Sequence, residues 1–116
     1  MEVKIIKTPI TKKYLQELAK EGFGVLVKVV VDIEKEILAI NGELHADEET
    51  ALMEQEGSNR EHTWGINIYP EKSGEDWIEF DSMINLKPAF GNRSRGVTNP
   101  EIQKRIMNIV HKLIID

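Results

Sequence analysis

The 116-residue chain contains no cysteine, which excludes disulfides, thiolate nucleophiles and zinc sites built from cysteine. It also lacks long apolar runs. The valines at positions 29–31 form one of the longest, far short of the roughly 20 residues that a membrane-spanning helix needs. The first residues are too few and too charged to form a signal peptide. We therefore expect a cytoplasmic protein that makes no contact with a membrane.

The composition supplies enough apolar material for a core, with 41% hydrophobic and 30% charged residues. The length predicts one domain over residues 1–116. Charge is unevenly spread, because residues 32–61 hold ten acids and two bases, whereas residues 87–112 hold six bases and one acid. The formal net charge of −5 argues against nucleic acid as a partner. The two blocks could instead face each other within the fold or across a homo-oligomer.

Two helices are marked by their caps and apolar stripes. Thr11 is a good N-cap and Gly22 a good end for the first, and Asn99 followed by Pro100 is typical of the start of the last. Apolar residues recur at helical spacing in both, at Tyr14, Leu15, Leu18 and Ala19 and at Ile102, Ile106, Ile109, Val110, Leu113 and Ile114. A third, weakly amphipathic helix is predicted from Asp47 to Gln55, with Asp47 as its cap.

The β-branched segment 25–33 predicts the strongest strand, and residues 37–40 can return antiparallel after a turn at 34–36. Residues 64–69 and 77–86 predict a hairpin turning at 72–74. Only a pairing that places Asn67 opposite Glu79 and Tyr69 opposite Trp77 puts both apolar sets on one face. The order βαββαββα predicts an α+β fold, with a single layer of mainly antiparallel sheet and the helices packed on one face.

The loop Gly91-Asn92-Arg93-Ser94-Arg95-Gly96 is the strongest indication of a site, because it places two arginines between two glycines. Arginine binds carboxylates and phosphates bidentately, and glycine lets a ligand approach the backbone. The loop matches neither a Walker loop nor a dinucleotide-binding pattern. In the structural alternative the arginines pair with the acidic block, while Asn92 and Ser94 brace a turn.

A second indication is a polar row on the predicted hairpin. Glu79 and Asp81 are two residues apart on one strand and share a face with Asn67. Such a row could line a ligand site, or could be the wet face of an antiparallel sheet. His45 and Asp47 could join Glu79 and Asp81 around a divalent metal. In the local alternative, Asp47 caps a helix and its acidic neighbours answer the helix dipole.

Taken together, the sequence predicts a binding or regulatory module for an anionic small molecule or an acidic protein partner, with no cofactor. The predicted ligand-binding residues are Asn67, Glu79, Asp81, Asn92, Arg93, Ser94 and Arg95. One alternative is a metal-dependent phosphoester hydrolase that uses His45, Asp47, Glu79 and Asp81. Another is a protein-interaction or dimerisation domain that uses the charge asymmetry.

Four blocks of the chain resemble those of a small bacterial family known as a domain of unknown function. They are GELHADEE from residue 42, WGINIYP from residue 64, IEFDSMIN from residue 78 and GNRSRG from residue 91. The resemblance covers nearly the whole chain and implies a free-standing bacterial protein. It implies no activity, since the family has no assigned catalytic or binding residues.

Overall fold

A computed structural model describes residues 1–116 and confirms the α+β fold. In chain order the elements are β1 (Lys4–Ile6), β2 (Ile10–Thr11), α1 (Lys12–Glu21), β3 (Val27–Asp32), β4 (Ile37–Ile40), α2 (His45–Glu56), β5 (Thr63–Ile68), β6 (Ile78–Glu79), α3 (Pro100–Leu113) and β7 (Ile114–Ile115). Five strands form a sheet in the order β1-β4-β3-β5-β6, in which every neighbouring pair is antiparallel. The predicted order βαββαββα recurs with two extra strands, β2 and β7, which pair in parallel as a separate small sheet. None of the helices is both long and apolar enough to cross a membrane.

Helices α1 and α3 cover one face of the sheet, as the sequence predicts. Thr11 caps α1 by accepting a hydrogen bond from the Tyr14 amide at 3.0 Å, and Asn99 caps α3 by accepting from the Glu101 amide at 2.9 Å. Their apolar stripes enter a cluster of 21 buried residues that includes alternate residues of β3, β4 and β5. The stripes consist of Leu15, Leu18 and Ala19 in α1 and Ile106, Ile109, Val110 and Leu113 in α3.

Helix α2 lies on the opposite face, so the prediction that all helices share one face is wrong for this helix. Leu52 of α2 packs against Val30 and Ala39 in a separate cluster of 5 buried residues. The helix also begins two residues earlier than predicted, at His45, with Leu44 rather than Asp47 in the N-cap position. The few apolar residues of α2 do not predict which face of the sheet it covers, because the surface that the helix buries is largely polar.

The β5–β6 hairpin has the predicted register, with Asn67 paired to Glu79 and Ile68 to Ile78. Gly74 in the turn has a φ of 67°, which glycine adopts without strain. Trp77, however, does not share the face of the sheet that carries Asn67 and Tyr69, although the predicted pairing sets it opposite Tyr69. It is 4% exposed and belongs to the apolar cluster under α1 and α3. Trp77 precedes β6, where the pleat of the strand no longer decides which face a large side chain takes.

The predicted strand over residues 77–86 is also too long, because β6 ends at Glu79. The chain then crosses β5 on the α2 side, over Gly65. A Cβ at Gly65 would lie 2.5 Å from the Cβ and Oγ atoms of Ser82 and 3.1 Å from Ile84 Cγ1. The Asn85 carboxamide takes the place of a pairing strand, since its Oδ1 accepts from Gly65 N at 2.8 Å and its Nδ2 donates to Gly65 O at 2.9 Å. A glycine is therefore required at this crossing.

Candidate functional site

A cavity of about 310 Å³ opens on the α2 side of the sheet. It lies between the first residues of α2, strands β3 and β5, the segment that crosses Gly65, and one residue of the arginine loop. Its volume is at the lower end of the range for small-molecule sites, about 300–1,000 Å³. Polar and charged side chains and a short apolar wall line it together: Lys28, Leu44, His45, Ala46, Asn67, Asp81, Ser82, Met83, Ile84 and Arg95. We call it the His45 cavity.

His45 is the first residue of α2 and is 9% exposed. Its Nε2 atom lies 2.7 Å from the carbonyl oxygen of Ile66. A carbonyl can only accept, so Nε2 carries the proton and Nδ1 of the neutral ring keeps a lone pair. Burial lowers the pKa of His45; the carbonyl of Ile66 and the charge of Asp81 oppose the shift, whereas the charges of Lys28 and Arg95 add to it. A neutral ring with a proton-accepting nitrogen is therefore favoured at this wall.

Two cations reach the His45 cavity from separate parts of the chain. Lys28 projects from β3, and its ammonium lies 5.0 Å from the centre of the Phe23 ring without a carboxylate partner. Arg95 comes from the arginine loop, and its Nε donates to Asp81 Oδ1 at 2.7 Å. Only Nε takes part in that ion pair, so the two terminal nitrogens of the Arg95 guanidinium remain free to bind a ligand.

The backbone of Arg95 is held in place by the crossing segment. Its carbonyl accepts from Ser82 N at 3.0 Å and from Asn85 Nδ2 at 2.9 Å. Asn92 braces the rest of the loop from inside: its Nδ2 donates to the carbonyls of Asn85 (2.7 Å), Ser94 (3.1 Å) and Gly96 (2.8 Å). Its Oδ1 accepts from the Thr98 backbone at 3.0 Å and hydroxyl at 2.9 Å. The loop is thus built as a rigid support for one arginine.

Asn67 and Glu79 form the polar row that the hairpin register predicts. Asn67 Nδ2 donates to Glu79 Oε1 at 2.9 Å, and the Tyr69 hydroxyl donates to the same oxygen at 3.2 Å. Asn67 is 9% exposed and lines the His45 cavity, whereas Glu79 is exposed and is not one of the lining residues. Glu79 therefore orients Asn67 and does not itself face the cavity.

The start of α2 adds a positive electrostatic potential at the cavity. Leu44 occupies the N-cap and has no side chain that could accept from the first-turn amides. The unpaired amides and the helix dipole give such an end a partial positive charge. Leu44, His45 and Ala46 all line the cavity, so the helix begins at its wall.

The structure separates the predicted site residues into two groups. Arg95, Asp81 and Asn67 meet at the His45 cavity together with His45. Arg93 and Ser94 are exposed and lie outside its lining, and Asn92 is buried with its polar atoms bonded inside the loop. Asn92 is therefore a brace, and the sequence offered that alternative. Lys28 was missed, although a lone lysine in the most apolar strand was a usable signal.

The arginines do not pair with the acidic block, because Arg95 binds Asp81 and no ion pair involves Arg93. Two lysines of the basic block, rather than its loop arginines, contact the acidic block. The Lys87 ammonium lies 3.8 Å from Glu49 Oε2, and the Lys112 ammonium lies 3.8 Å from Glu36 Oε1. Part of the charge asymmetry is thus satisfied within the chain.

The four residues of the predicted metal site do not come together. No three histidine, cysteine, aspartate or glutamate side chains are placed to hold a metal ion. Asp81 binds Arg95, Glu79 binds Asn67 and Tyr69, and Asp47 is exposed in the first turn of α2. The structure thus offers no assembled site for a metal held by His45, Asp47, Glu79 and Asp81, because two of the carboxylates bind other side chains and the third is exposed.

One protein family matches residues 4–113, almost the full length of the chain. Its description is "protein of unknown function (DUF5674)". The chain belongs to this family. The resemblance to a domain of unknown function is thereby confirmed. No curated protein and no solved structure matches the chain.

Proposed function

We propose that this DUF5674 protein binds a small organic or inorganic anion in the His45 cavity. The observation that carries the proposal is the convergence of Lys28 and Arg95 on one cavity from separate elements. Asp81 is the single carboxylate among the lining residues. The cavity therefore has a positive formal charge in a chain whose net charge is −5.

The form of Arg95 supports the same conclusion. Its contact with Asp81 uses Nε alone, and a guanidinium presents further donors in a planar fork that suits carboxylate and phosphate oxygens. The carbonyl of Arg95 is bonded to Ser82 and Asn85, so the fork is presented by a fixed backbone. Preorganisation of this kind reduces the entropy lost on binding.

The experiment compares two arginines of one loop. Isothermal titration with inorganic phosphate and with acetate would be run on the parent, Arg95→Ala and Arg93→Ala. We expect Arg95→Ala to weaken binding about tenfold or more, which corresponds to about 1.4 kcal/mol. Arg93→Ala should change affinity by less than about twofold, since Arg93 lies outside the cavity lining but carries the same charge.

Stability provides the control for Arg95→Ala. The side chains of Arg95 and Asp81 are 57% and 44% exposed, and an ion pair at the surface contributes only about 0–1 kcal/mol. Arg95→Ala should therefore unfold within about 1 kcal/mol of the parent in urea. Equal losses of affinity in the two variants would mean that only overall charge matters, and a parent that binds neither these two anions nor any small organic phosphate or acid would contradict the proposal.

A further inference from the structure

A carboxamide oxygen of the His45 cavity has no donor. Asn67 Nδ2 donates to Glu79 Oε1 at 2.9 Å and to the Asp81 carbonyl at 3.4 Å. Both partners can only accept, so turning the amide over would set its oxygen against two acceptors. The orientation of Asn67 is therefore fixed by its neighbours. Its Oδ1 atom is buried and has no hydrogen-bond partner within the protein.

His45 supplies a second acceptor beside it. The hydrogen bond from Nε2 to the Ile66 carbonyl fixes the tautomer and leaves the lone pair on Nδ1. Ile66 is the residue before Asn67 on β5, so the imidazole is anchored one residue from the carboxamide. The cavity thus combines cations with two acceptors that have no donor within the protein, Asn67 Oδ1, which is buried, and His45 Nδ1.

The two acceptors restrict the class of possible ligands more than the positive charge alone does. Sulfate, the dianion of a simple alkyl phosphate and simple carboxylates would be attracted by Lys28 and Arg95, but they bring no donor for Asn67 or His45. A site whose acceptors find no donor within the protein discriminates against ligands that cannot supply one. A small polyol acid or polyol phosphate carries hydroxyl donors on the carbon chain that bears its anionic group.

We propose that the natural ligand is a hydroxylated organic anion, whose anionic group binds Arg95 and Lys28 and whose hydroxyl groups donate to Asn67 Oδ1 and His45 Nδ1. The proposal rests on the anion site proposed above and specifies the class of molecule that fills it. The competing occupant of Oδ1 is the ammonium of Lys28, because Lys28 is the cross-strand partner of Asn67. A lysine that took that position would remove the preference for hydroxyl groups.

The experiment uses matched pairs of ligands that differ only in hydroxyl groups. Glycerol 3-phosphate would be titrated against n-propyl phosphate, and glycerate against propionate. For the parent we expect the hydroxylated member to bind about tenfold or more tightly in at least one pair. The pair that shows the preference also identifies the anionic group as phosphate or carboxylate.

Two variants test which residues read the hydroxyl groups. Asn67→Leu removes the acceptor at similar volume. His45→Gln keeps a donor near the position of Nε2 for Ile66 but removes the Nδ1 lone pair, so it decides the matter if Asn67→Leu does not fold. In either variant the preference should fall to within about threefold, while affinity for the member without hydroxyl groups stays within about threefold of the parent.

Arg95→Ala serves as the matched control, because it should weaken both members of a pair equally and leave their ratio unchanged. Equal binding of both members by the parent would overturn the proposed ligand class and leave the anion site intact. A preference that survives in both Asn67→Leu and His45→Gln would overturn the assignment of these residues. Failure of every anion to bind would overturn the anion site itself.

Discussion

The two faces of the sheet differ in what they bury. The face under α1 and α3 carries a cluster of 21 buried apolar residues, whereas the face under α2 carries 5. Much of the α2 side is instead polar and still buried, through Asp32, His45, Glu48, Glu49, Thr63 and Asn67. We call them the apolar face and the polar face.

Burial has opposite consequences on the two faces. Apolar burial stabilises in proportion to the area removed from water, without needing a particular partner. Buried polar groups cost free energy unless each finds a hydrogen bond. On the polar face, Glu49 Oε2 accepts from the Thr63 hydroxyl at 2.6 Å, but Glu48 Oε1, Asp32 Oδ2 and Asn67 Oδ1 have no partner. The fold thus rests on the apolar face, and of the three unpaired oxygens Asn67 Oδ1 belongs to a residue that lines the His45 cavity.

The largest expected effect comes from the apolar face. Ile106→Ala in α3 should reduce the free energy of unfolding by about 2–5 kcal/mol, because the side chain is fully buried and leaves a cavity. Leu52→Ala on the polar face should fall near the lower end of that range of about 2–5 kcal/mol, since fewer apolar neighbours surround it. Both would be measured by urea unfolding. A Leu52→Ala loss larger than that of Ile106→Ala would reverse the comparison.

The exposed Lys104 provides the control on the same helix. Lys104→Ala should change the free energy of unfolding by less than about 0.5 kcal/mol. If Ile106→Ala behaved like Lys104→Ala, α3 would not be packed on the sheet.

The apolar face was predictable because its signals are local. The caps Thr11 and Asn99 and the helical stripes of α1 and α3 each lie within a few turns of chain, and the hairpin register follows from parity alone. Helix α2 gave no comparable signal. It buries His45, Glu48 and Glu49 beside a single fully buried leucine. From the sequence alone, such a polar pattern predicts a solvent-exposed helix.

The site was only half predictable for a related reason. Arg95, Asp81 and Asn67 could be named from residue type and strand register. Which of the predicted residues face the cavity depends on how the chain crosses Gly65. That crossing is set by contacts between residues far apart in the chain. Nothing local distinguishes Arg93 from Arg95, or shows that Asn92 faces inward. Lys28 joins the site only because its side chain and helix α2 lie on the same side of the sheet.

A smaller effect is expected where the arginine loop is braced. Asn92→Ala removes hydrogen bonds to the carbonyls of Asn85, Ser94 and Gly96 and to Thr98. Leaving such groups unpaired in the interior should reduce the free energy of unfolding by about 1–3 kcal/mol. Phosphate affinity should fall with it, because Arg95 loses its rigid support. Urea unfolding and titration on the same preparations measure the two effects.

Ser94→Ala is the matched change in the same loop. Ser94 is exposed, and its hydroxyl makes no hydrogen bond to the protein, so the free energy of unfolding should change by less than about 0.5 kcal/mol. Phosphate affinity should also be preserved. Equal effects of Asn92→Ala and Ser94→Ala would mean that the loop is not held from inside.

The last effect is a pH dependence of stability, and it tests whether water reaches the buried part of the polar face. Burial raises the pKa of Glu48 well above its usual range, although the Gly42 amide, 2.8 Å from Oε2, and the charge of Lys28 oppose the shift. The folded protein therefore keeps a proton at pH values where the unfolded chain has released it. The stability gained from that proton is complete below the unfolded pKa of 4.5 and is lost as the pH rises through the folded pKa.

Glu48→Gln removes this titration while keeping the size of the side chain and an oxygen for the Gly42 amide. The free energy of unfolding of the variant, minus that of the parent, should rise with pH above 4.5, with a slope of up to about 1.4 kcal/mol per pH unit. Any constant cost of the new amide cancels in the slope, and so does the titration of His45, which both proteins share. Glu54→Gln on the exposed side of α2 should give no such slope. A flat difference for Glu48→Gln would mean that water reaches this carboxyl, and the polar face would then be a solvated surface that happens to lie under a helix.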